Sequence, residues 1–311
     1  MRVTFLGTAA AEGYPALWCR CERCTTARAR GGKSLRFRAS ALINDDLLID
    51  PGPDVLASAI RLGVDLAPVQ ACLITHPHTD HLEAGTFFWR RKGFVATGLP
   101  ELAVYGSNAS FERMLRLERR DIDPIAIRVK PHPIRAFQQV EVTTGGELPR
   151  DPRFGESGAE VPVTPRRRYA VWTFGASHAE PAIEPMFFAI RQEEGPEASG
   201  GTKALLYSTD TGPYGEETWA ALERLKEAGV RFDITAIDST SGLGPDSKGH
   251  MNIRQMAWHQ DELRRRGLLN EGCRRFAHHF SHNGTPPYEE LETYLTGRDV
   301  AQAYDGLEVT L

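Results

Sequence analysis

Four side chains that bind metal ions stand close together in residues 74–82, ITHPHTDHL. They are His76, His78, Asp80 and His81. The apolar residues 71–74 predict a buried strand, on which the first two ligands share a face through the two-residue period. Pro77 helps to end the strand pairing, so the last two ligands begin a following helix and point elsewhere. Two ligand pairs with different directions suit two neighbouring ions, the arrangement used for hydrolysis by a metal-activated water.

This motif resembles the signature of the metallo-β-lactamase fold, whose members are mostly two-metal hydrolases. The resemblance implies an αββα sandwich, in which two mixed β-sheets are flanked by helices. It also implies three ligands further along the chain, each at a strand end. Asp210 follows the apolar residues 204–206 and is placed to bridge both ions, and His178 precedes the apolar residues 186–190. Residues 276–282, FAHHFSH, offer three histidines for the last ligand.

The cysteines indicate a second metal site of a different kind. Cys19, Cys21 and Cys24 form Cys-x-Cys-x-x-Cys in a polar loop. Three crowded thiols in a cytoplasmic chain suit a tetrahedral structural zinc better than disulfides, and the fourth ligand must come from elsewhere. A reduced loop without metal stays an alternative. Cys72 and Cys273 are isolated, and we expect them to be small core residues.

The cysteine loop and the late His-x-x-His together narrow the resemblance. They are similar to the branch that contains the cyclic-phosphate phosphodiesterase of the carbon–phosphorus lyase pathway and the pyrroloquinoline quinone biosynthesis protein. The resemblance implies that His279 binds the catalytic metals, that His282 completes the structural zinc and that His278 does neither. It also implies two catalytic ions that share Asp210. One ion is held by His76, His78 and His178, and the other by Asp80, His81 and His279.

The remaining elements fit one domain over residues 1–311. Apolar runs on both sides of residues 44–46 predict a hairpin, and capping residues and glycines bound four helices. The expected helices are 54–62 with Asp54 as its cap, 108–118, 216–228 and 252–266. Residues 143–170 are rich in Gly, Pro, Arg and Glu, and we expect an inserted loop or hairpin there, near the mouth of the site.

Two further groups bear on the chemistry. Asp50 ends the second hairpin strand and is expected to support the ligand loops through hydrogen bonds. His250 lies just before a capped helix, a location suited to anions, with Lys248 beside it. The resemblance implies that His250 assists the phosphate or the leaving oxygen; the alternative is that it only hydrogen-bonds its own loop. The basic runs in residues 28–38 and 166–168 are more often solvated faces than substrate guides.

Composition limits the function classes. The chain has 311 residues, of which 41% are hydrophobic and 25% charged, and a net charge of −4 gives no footprint for bulk nucleic-acid binding. No apolar run approaches the roughly 18 residues of a membrane span. The first residues predict a strand rather than a signal peptide, so we expect a cytoplasmic protein. The expected partner is a small anionic substrate, and a homodimer stays open.

These features predict a dinuclear metal hydrolase that cleaves a small or cyclic phosphodiester, with Asp80 and His250 as catalytic residues. The predicted cofactors are two divalent ions, zinc or manganese with iron as a further candidate, and one structural zinc. A hydrolase of lactones, esters or thioesters would use the same ligands. An iron-dependent oxidative enzyme, like the quinone-biosynthesis relative, is another alternative. A tRNA-processing nuclease would need an extended RNA-binding arm and a basic face, and neither is evident in the sequence. A non-catalytic binding module is the least favoured alternative, because all seven ligands of the catalytic site are present.

Overall fold

The apolar runs of the sequence form strands that assemble into two large β-sheets. The structure is a computed structural model that describes residues 1–117, 123–147, 149–155, 159–160, 163–179, 181–198 and 200–311. Within them the strands are β1 (Arg2–Gly7), β2 (Ser40–Ile43), β3 (Leu47–Ile49), β4 (Ala71–Leu73), β5 (Thr97–Gly98), β6 (Leu102–Gly106), β7 (Val129–Pro133), β8 (Gln139–Thr144), β9 (Ala159–Glu160), β10 (Arg167–Gly175), β11 (Met186–Glu194), β12 (Lys203–Ser208), β13 (Phe232–Asp238), β14 (Leu269–His278), β15 (Ala301–Gln302) and β16 (Glu308–Thr310). The helices are α1 (Glu22–Arg30), α2 (Val55–Leu62), α3 (Gly85–Phe88), α4 (Asn108–Leu117), α5 (Pro124–Ile127), α6 (Glu216–Glu227), α7 (Ile253–Arg265) and α8 (Tyr288–Leu295).

The two sheets repeat one design. The first has the order β16-β1-β2-β3-β4-β6-β7 and the second β15-β14-β13-β12-β11-β10-β8. In both sheets, neighbouring strands pair antiparallel in one half of the sheet and parallel in the other half. The parallel strands β3, β4 and β6 of the first sheet correspond to β12, β13 and β14 of the second. Apolar side chains from both sheets fill the space between them, and helices cover the outer faces. This is the predicted αββα sandwich.

Local predictions hold where turn and cap chemistry is strong. The hairpin of β2 and β3 and the four helices form as expected within the described residues. Asn252 caps α7 in a full capping box with Gln255, and Gly63 ends α2 in the left-handed region. Asp54 does not cap α2 with its side chain, because its carboxylate instead accepts from the backbone N–H and guanidinium of Arg38. No helix in the described ranges combines the length and apolar character that a membrane span requires.

Residues 143–170 differ from the prediction in extent and place. Residues up to Thr144 belong to β8, and those from Arg167 belong to β10. In the described part of the connection, Gly145 N–H and Thr164 Oγ1 both bond Gln70, just before β4 begins. The predicted ligands follow the other end of β4, so the expected location near the site mouth is wrong for these residues.

Two predicted surface arginines are buried. Arg36 donates to Thr8, Gln302 and the carbonyl of Ala303, and its charge is held in a closed polar cluster. Arg167 forms ion pairs with Asp46 and Glu197. Charge runs in sequence do not reveal these partners, because the acids lie far away along the chain.

Candidate metal centre

The structure brings all seven predicted catalytic ligands to one edge of the sandwich. One set of ligand atoms, all within 4.8 Å of one another, comes from His76, His78 and His178. A second such set comes from Asp80, His81, Asp210 and His279. Asp210 joins the sets, because its Oδ2 lies 3.4 Å from Nε2 of His76 and 3.4 Å from Nε2 of His279.

These ligands sit where parallel strands end, which explains why residues far apart in sequence meet. The first motif follows β4, Asp210 follows β12, and His279 directly follows β14. Asp50, Asp210 and His279 have φ values of 53°, 48° and 63°, in the left-handed region that non-glycine residues rarely adopt. Such conformations persist where surrounding contacts impose them, and they turn the chain sharply at the strand ends.

Asp50 orients the ligands of the first sheet, as predicted from sequence. Its carboxylate accepts from the Thr75 backbone N–H and from Thr75 Oγ1, both at 2.8 Å. Thr75 Oγ1 lies 3.1 Å from Nδ1 of His76, and Nδ1 of His81 lies 2.8 Å from Asp50 Oδ2. Because the Nδ1 atoms have these partners, Nε2 is the atom of each ring left for an ion.

Asp238 performs the same task in the second sheet, and the sequence reasoning missed it. It ends β13 and accepts from the Thr240 backbone N–H and from Thr240 Oγ1, both at 3.0 Å. Thr240 Oγ1 lies 2.7 Å from Nδ1 of His279, and His250 Nδ1 lies 3.3 Å from Asp238. The sequence does contain a signal for Asp238, because this aspartate follows the largely apolar residues 234–237 just as Asp50 follows the apolar residues 47–49.

The centre holds an excess of buried negative charge. Its four carboxylates, all at most 5% exposed, are Asp50, Asp80, Asp210 and Asp238. Among the described residues no Lys or Arg pairs with any of them, so the nearby partners are histidines, threonine hydroxyls and backbone donors. Buried charge is stable only when it is paired or bound to a cation, so this ligand set calls for metal ions.

The protonation states suit ion binding. Burial and neighbouring histidines hold the pKa of His76 well below its usual value, and burial also lowers the pKa of His178. Burial opposes ionisation of Asp210, but His279 and His81 outweigh it and keep its pKa well below the usual range. The buried Nε2 atoms of His76, His81 and His279 have no hydrogen-bond partner among the described residues. Burial opposes the cationic form of His81, but the charges of Asp80, Asp50 and Asp210 outweigh it and raise the pKa of His81 well above its usual value. The lowered pKa values of His76 and His178, the ionised carboxylate of Asp210 and the buried Nε2 atoms fit divalent ions, which would replace the proton on His81.

His250 faces the same pocket and lies outside the two predicted ligand sets, but its ring forms a further group of ligand atoms within 4.8 Å of one another with Asp210, Asp238 and His279. Its Nδ1 lies 3.3 Å from Asp210 Oδ1 as well as from Asp238 Oδ2. Burial disfavours the cation, but the hydrogen bond to Asp238 and the charges of Asp238, Asp210 and Asp80 outweigh it and raise the pKa of His250 to about 9. The surrounding carboxylates therefore favour the cationic form of the ring.

The predicted structural site also assembles. Its four ligand atoms, from Cys19, Cys21, Cys24 and His282, lie within 4.8 Å of one another. Tetrahedral zinc, with Zn–S about 2.3 Å and Zn–N about 2.0 Å, places its sulfur and nitrogen ligands roughly 3.6 Å apart. Cys21 Sγ and His282 Nδ1 are 3.5 Å apart, which fits such an ion. A backbone hydrogen bond from Cys24, with further contacts to His282 and the other thiols, lowers the pKa of Cys21 to about 6.

His278 is separate from both sites. It ends β14, is fully buried, and its ring packs between Phe5 and Tyr207 at centroid distances of 5.2 and 5.3 Å. The side chain therefore faces the sandwich interior, whereas His279 faces the centre, as the alternation of strand side chains predicts.

The centre opens into a pocket of about 340 Å³ that contains His78, His178 and His250. A larger depression of about 870 Å³ lies along the edge of β14, but it contains none of the predicted ligands. We assign the functional site by the convergence of ligands and buried charge, because volume alone carries no chemistry.

Comparisons with known proteins agree with this fold and ligand set. A family model for the beta-lactamase superfamily domain matches residues 46–269. Coenzyme PQQ synthesis protein B of Methylobacterium radiotolerans is 34% identical over 94 residues, which cover 26% of this chain and 31% of that protein. The match therefore spans under a third of that relative's length.

Two solved structures resemble the whole chain. A diphosphatase of the PhnP family has a TM-score of 0.65 at 19% identity, covering 100% of this chain and 97% of its own. Zn²⁺-bound PqqB from Methylobacterium extorquens has a TM-score of 0.66 at 18% identity and covers 100% of both chains. At these identities the structures support the fold. Because the family model matches most of the sequence, this chain belongs to the β-lactamase superfamily domain family.

Proposed function

We propose that this chain is a dinuclear metal hydrolase that acts on a small or cyclic phosphodiester. The observation that carries the proposal is the position of Asp210, whose carboxylate lies within 3.4 Å of Nε2 of His76 from one ligand set and of His279 from the other. A shared carboxylate between two ligand sets is the arrangement that holds two ions close together.

The residues divide into two proposed ligand sets. His76, His78 and His178 would hold one ion, Asp80, His81 and His279 the other, and Asp210 would contribute to both. When bound, two divalent ions lower the pKa of a coordinated water and neutralise charge that develops on the substrate oxygens. The relays through Asp50 and Asp238 keep the ligand rings oriented. Cys19, Cys21, Cys24 and His282 would hold a structural zinc.

His250 supplies the property that favours an anionic substrate. Its Nδ1 is directed to Asp238, and its Nε2 has no hydrogen bond to the described residues. A cationic imidazole in this position donates either to a nonbridging phosphate oxygen or, with transfer of its proton, to the leaving oxygen. A cationic ring also attracts a substrate with negative charge on the reacting group, which a phosphodiester has and a neutral ester lacks.

The pocket supports a small substrate. Its volume of about 340 Å³ lies near the lower end of the roughly 300–1,000 Å³ typical of ligand sites. The similar PhnP-family structure is a diphosphatase, which is also a phosphorus–oxygen hydrolase. Hydrolysis of a lactone, ester or thioester, and an iron-dependent oxidation, stay as alternatives, the second because of the PQQ synthesis relative.

The test is hydrolysis of bis(p-nitrophenyl) phosphate by protein of known metal content. We expect about three metal ions per chain and turnover supported by manganese or zinc, which Asp80→Ala should abolish. Asp65→Ala, at an exposed carboxylate outside the centre, should leave turnover unchanged. Faster turnover of lactones or thioesters than of any phosphodiester, or oxygen-dependent turnover with iron, would replace the proposal.

A further inference from the structure

Glu12 places a carboxylate in the wall of the candidate substrate pocket, beside residues of both metal sites. The pocket that contains His178, Asp210 and His279 is also lined by Glu12. Glu12 Oε1 accepts a 2.5 Å hydrogen bond from Ser281 Oγ and lies 3.7 Å from His282 Nε2. The side chain is therefore held in place, while 32% of it stays exposed.

The rest of this wall carries no positive charge. Apart from the proposed ligands and His250, the lining consists of Ala10, Ala11, Thr240, Ser241, Ser281 and Asn283 with Glu12. Two arginines donate to backbone carbonyls of lining residues but do not line the pocket themselves. Arg23 donates to the carbonyl of Asn283, and Arg38 donates to the carbonyl of Ala11 and pairs with Asp54.

Lys248 lies in a different place. It lines a neighbouring depression of about 470 Å³, which shares His178 with the substrate pocket. On that side a second anionic group of a substrate would meet Lys248 in the lining. On the Glu12 side, such a group would meet a fixed carboxylate and uncharged hydroxyl and amide groups.

We infer that Glu12 is a specificity-determining residue that excludes a second anionic group and accepts an uncharged, hydroxyl-bearing group on its side of the pocket. The inference rests on the proposed function, since it concerns the part of the substrate that does not react. Oε2 of Glu12 makes no hydrogen bond or ion pair with the described residues and is the acceptor offered to a substrate hydroxyl. The favoured substrate class is a phosphodiester of a neutral polyol.

The test uses two substrates that differ in one charged group. They are the p-nitrophenyl phosphodiesters of glycerol and of glycerate, in which a carboxylate replaces a hydroxymethyl group. Two unit charges about 10 Å apart at an effective dielectric of about 20 change a binding constant by about tenfold. We therefore expect wild-type protein to favour the glycerol ester in kcat/KM by about tenfold, and less at high salt.

Glu12→Gln separates charge from structure, because glutamine can still accept from Ser281. We expect its preference for the glycerol ester to fall close to one, with all metal ions retained. Glu22→Gln removes the same charge from an exposed position on α1 and should keep the wild-type preference. An unchanged preference in Glu12→Gln would overturn the inference, and loss of zinc with an unchanged preference would assign Glu12 to the support of His282.

A binding measurement keeps the inference testable if the proposed function fails. Hydrolysis of neither ester by metal-loaded wild-type protein would count against the phosphodiesterase. Calorimetric titration with glycerol 1-phosphate and 3-phosphoglycerate would then decide the role of Glu12. We expect the same preference in the dissociation constants of the wild-type protein and its loss in Glu12→Gln. Equal preferences in both proteins would overturn it.

Discussion

Each sheet supports the centre with one aspartate that contacts one threonine and one histidine, but the histidines held in this way differ in position. In the first sheet Asp50 binds Thr75, which contacts His76, and Asp50 also binds His81 directly. In the second, Asp238 binds Thr240, which contacts His279, and Asp238 also binds a second histidine directly.

The difference lies in that second histidine. His81 belongs to a proposed ligand set and is fully buried, whereas the side chain of His250 is 29% exposed and lies in the pocket wall. Both aspartates hold one histidine through a threonine and one directly. In the second sheet the directly held ring lies in the wall of the pocket, where the proposed substrate would bind. Under the proposed function, the repeated support would therefore hold a metal ligand in one half and a substrate-binding group in the other.

The largest expected effect comes from removing the carboxylate that joins the halves. Asp210→Ala should reduce phosphodiester turnover by at least about 10³-fold, because both proposed ions lose a ligand. Elemental analysis should show loss of the two catalytic ions and retention of the structural zinc. Asp65→Ala is the matched control. Two catalytic ions retained at full occupancy would show that Asp210 is not the shared ligand.

The two supporting aspartates test the repeat itself. Asp50→Asn and Asp238→Asn should each weaken binding of the catalytic metals by about 10–100-fold, the usual effect of removing a group that orients a ligand. Metal titration against a chelator measures this loss. At saturating metal, Asp238→Asn should still turn over more slowly than Asp50→Asn, because it also releases His250. Equal turnover of the two variants would show that Asp238 does not position His250 for turnover.

The substitution His250→Ala tests the role of the histidine that Asp238 holds in the pocket wall. If this ring donates its proton to the leaving oxygen, its loss should slow an alkyl phosphodiester by about 10²–10⁴-fold and a nitrophenyl ester far less. Metal content should not change. An equal loss on both substrates would assign His250 to phosphate positioning, whereas loss of an ion would make it a ligand. Rates for a series of leaving groups distinguish these outcomes.

The smallest expected effect on turnover is that of His282→Ala. The cysteine loop and His282 come from opposite ends of the chain, so a zinc ion there would fasten the two halves together. We expect His282→Ala to lower the free energy of unfolding by about 4 kcal/mol or more, since loss of a structural metal is among the most destabilising changes. His279→Ala should instead abolish turnover with a modest loss of stability. The reverse behaviour, in chemical denaturation and turnover assays, would exchange the two assignments.

Sequence predicted the parts of this centre that are encoded locally. The closely spaced His76, His78, Asp80 and His81 and the cysteine loop are visible in short segments, and strand-end positions located Asp50 and Asp210. Asp238 escaped notice because its partners, Thr240, Met251 and His250, converge only after β13 and α7 are placed. The burial of Arg167 was also not predictable, because this residue belongs to the second sheet and its ion-pair partner Asp46 lies in the β2–β3 hairpin of the first sheet. Glu12 shows no motif, and only the folded chain places it in the pocket.

The left-handed backbone at Asp50, Asp210 and His279 has a consequence for how this fold could change. A non-glycine residue in a sparsely populated conformation costs of order 1–3 kcal/mol, and glycine would remove that cost. Glycine would relax the backbone at all three positions, but the proposed ion site needs the side chains there, and the Asp50 carboxylate also satisfies buried donors of Thr75 and His81. An exchange of Asp210 for glycine should thus yield a sturdier protein than an exchange for alanine, with neither able to do the chemistry. The backbone conformation at these strand ends therefore works against the side chains that the proposed ion site needs.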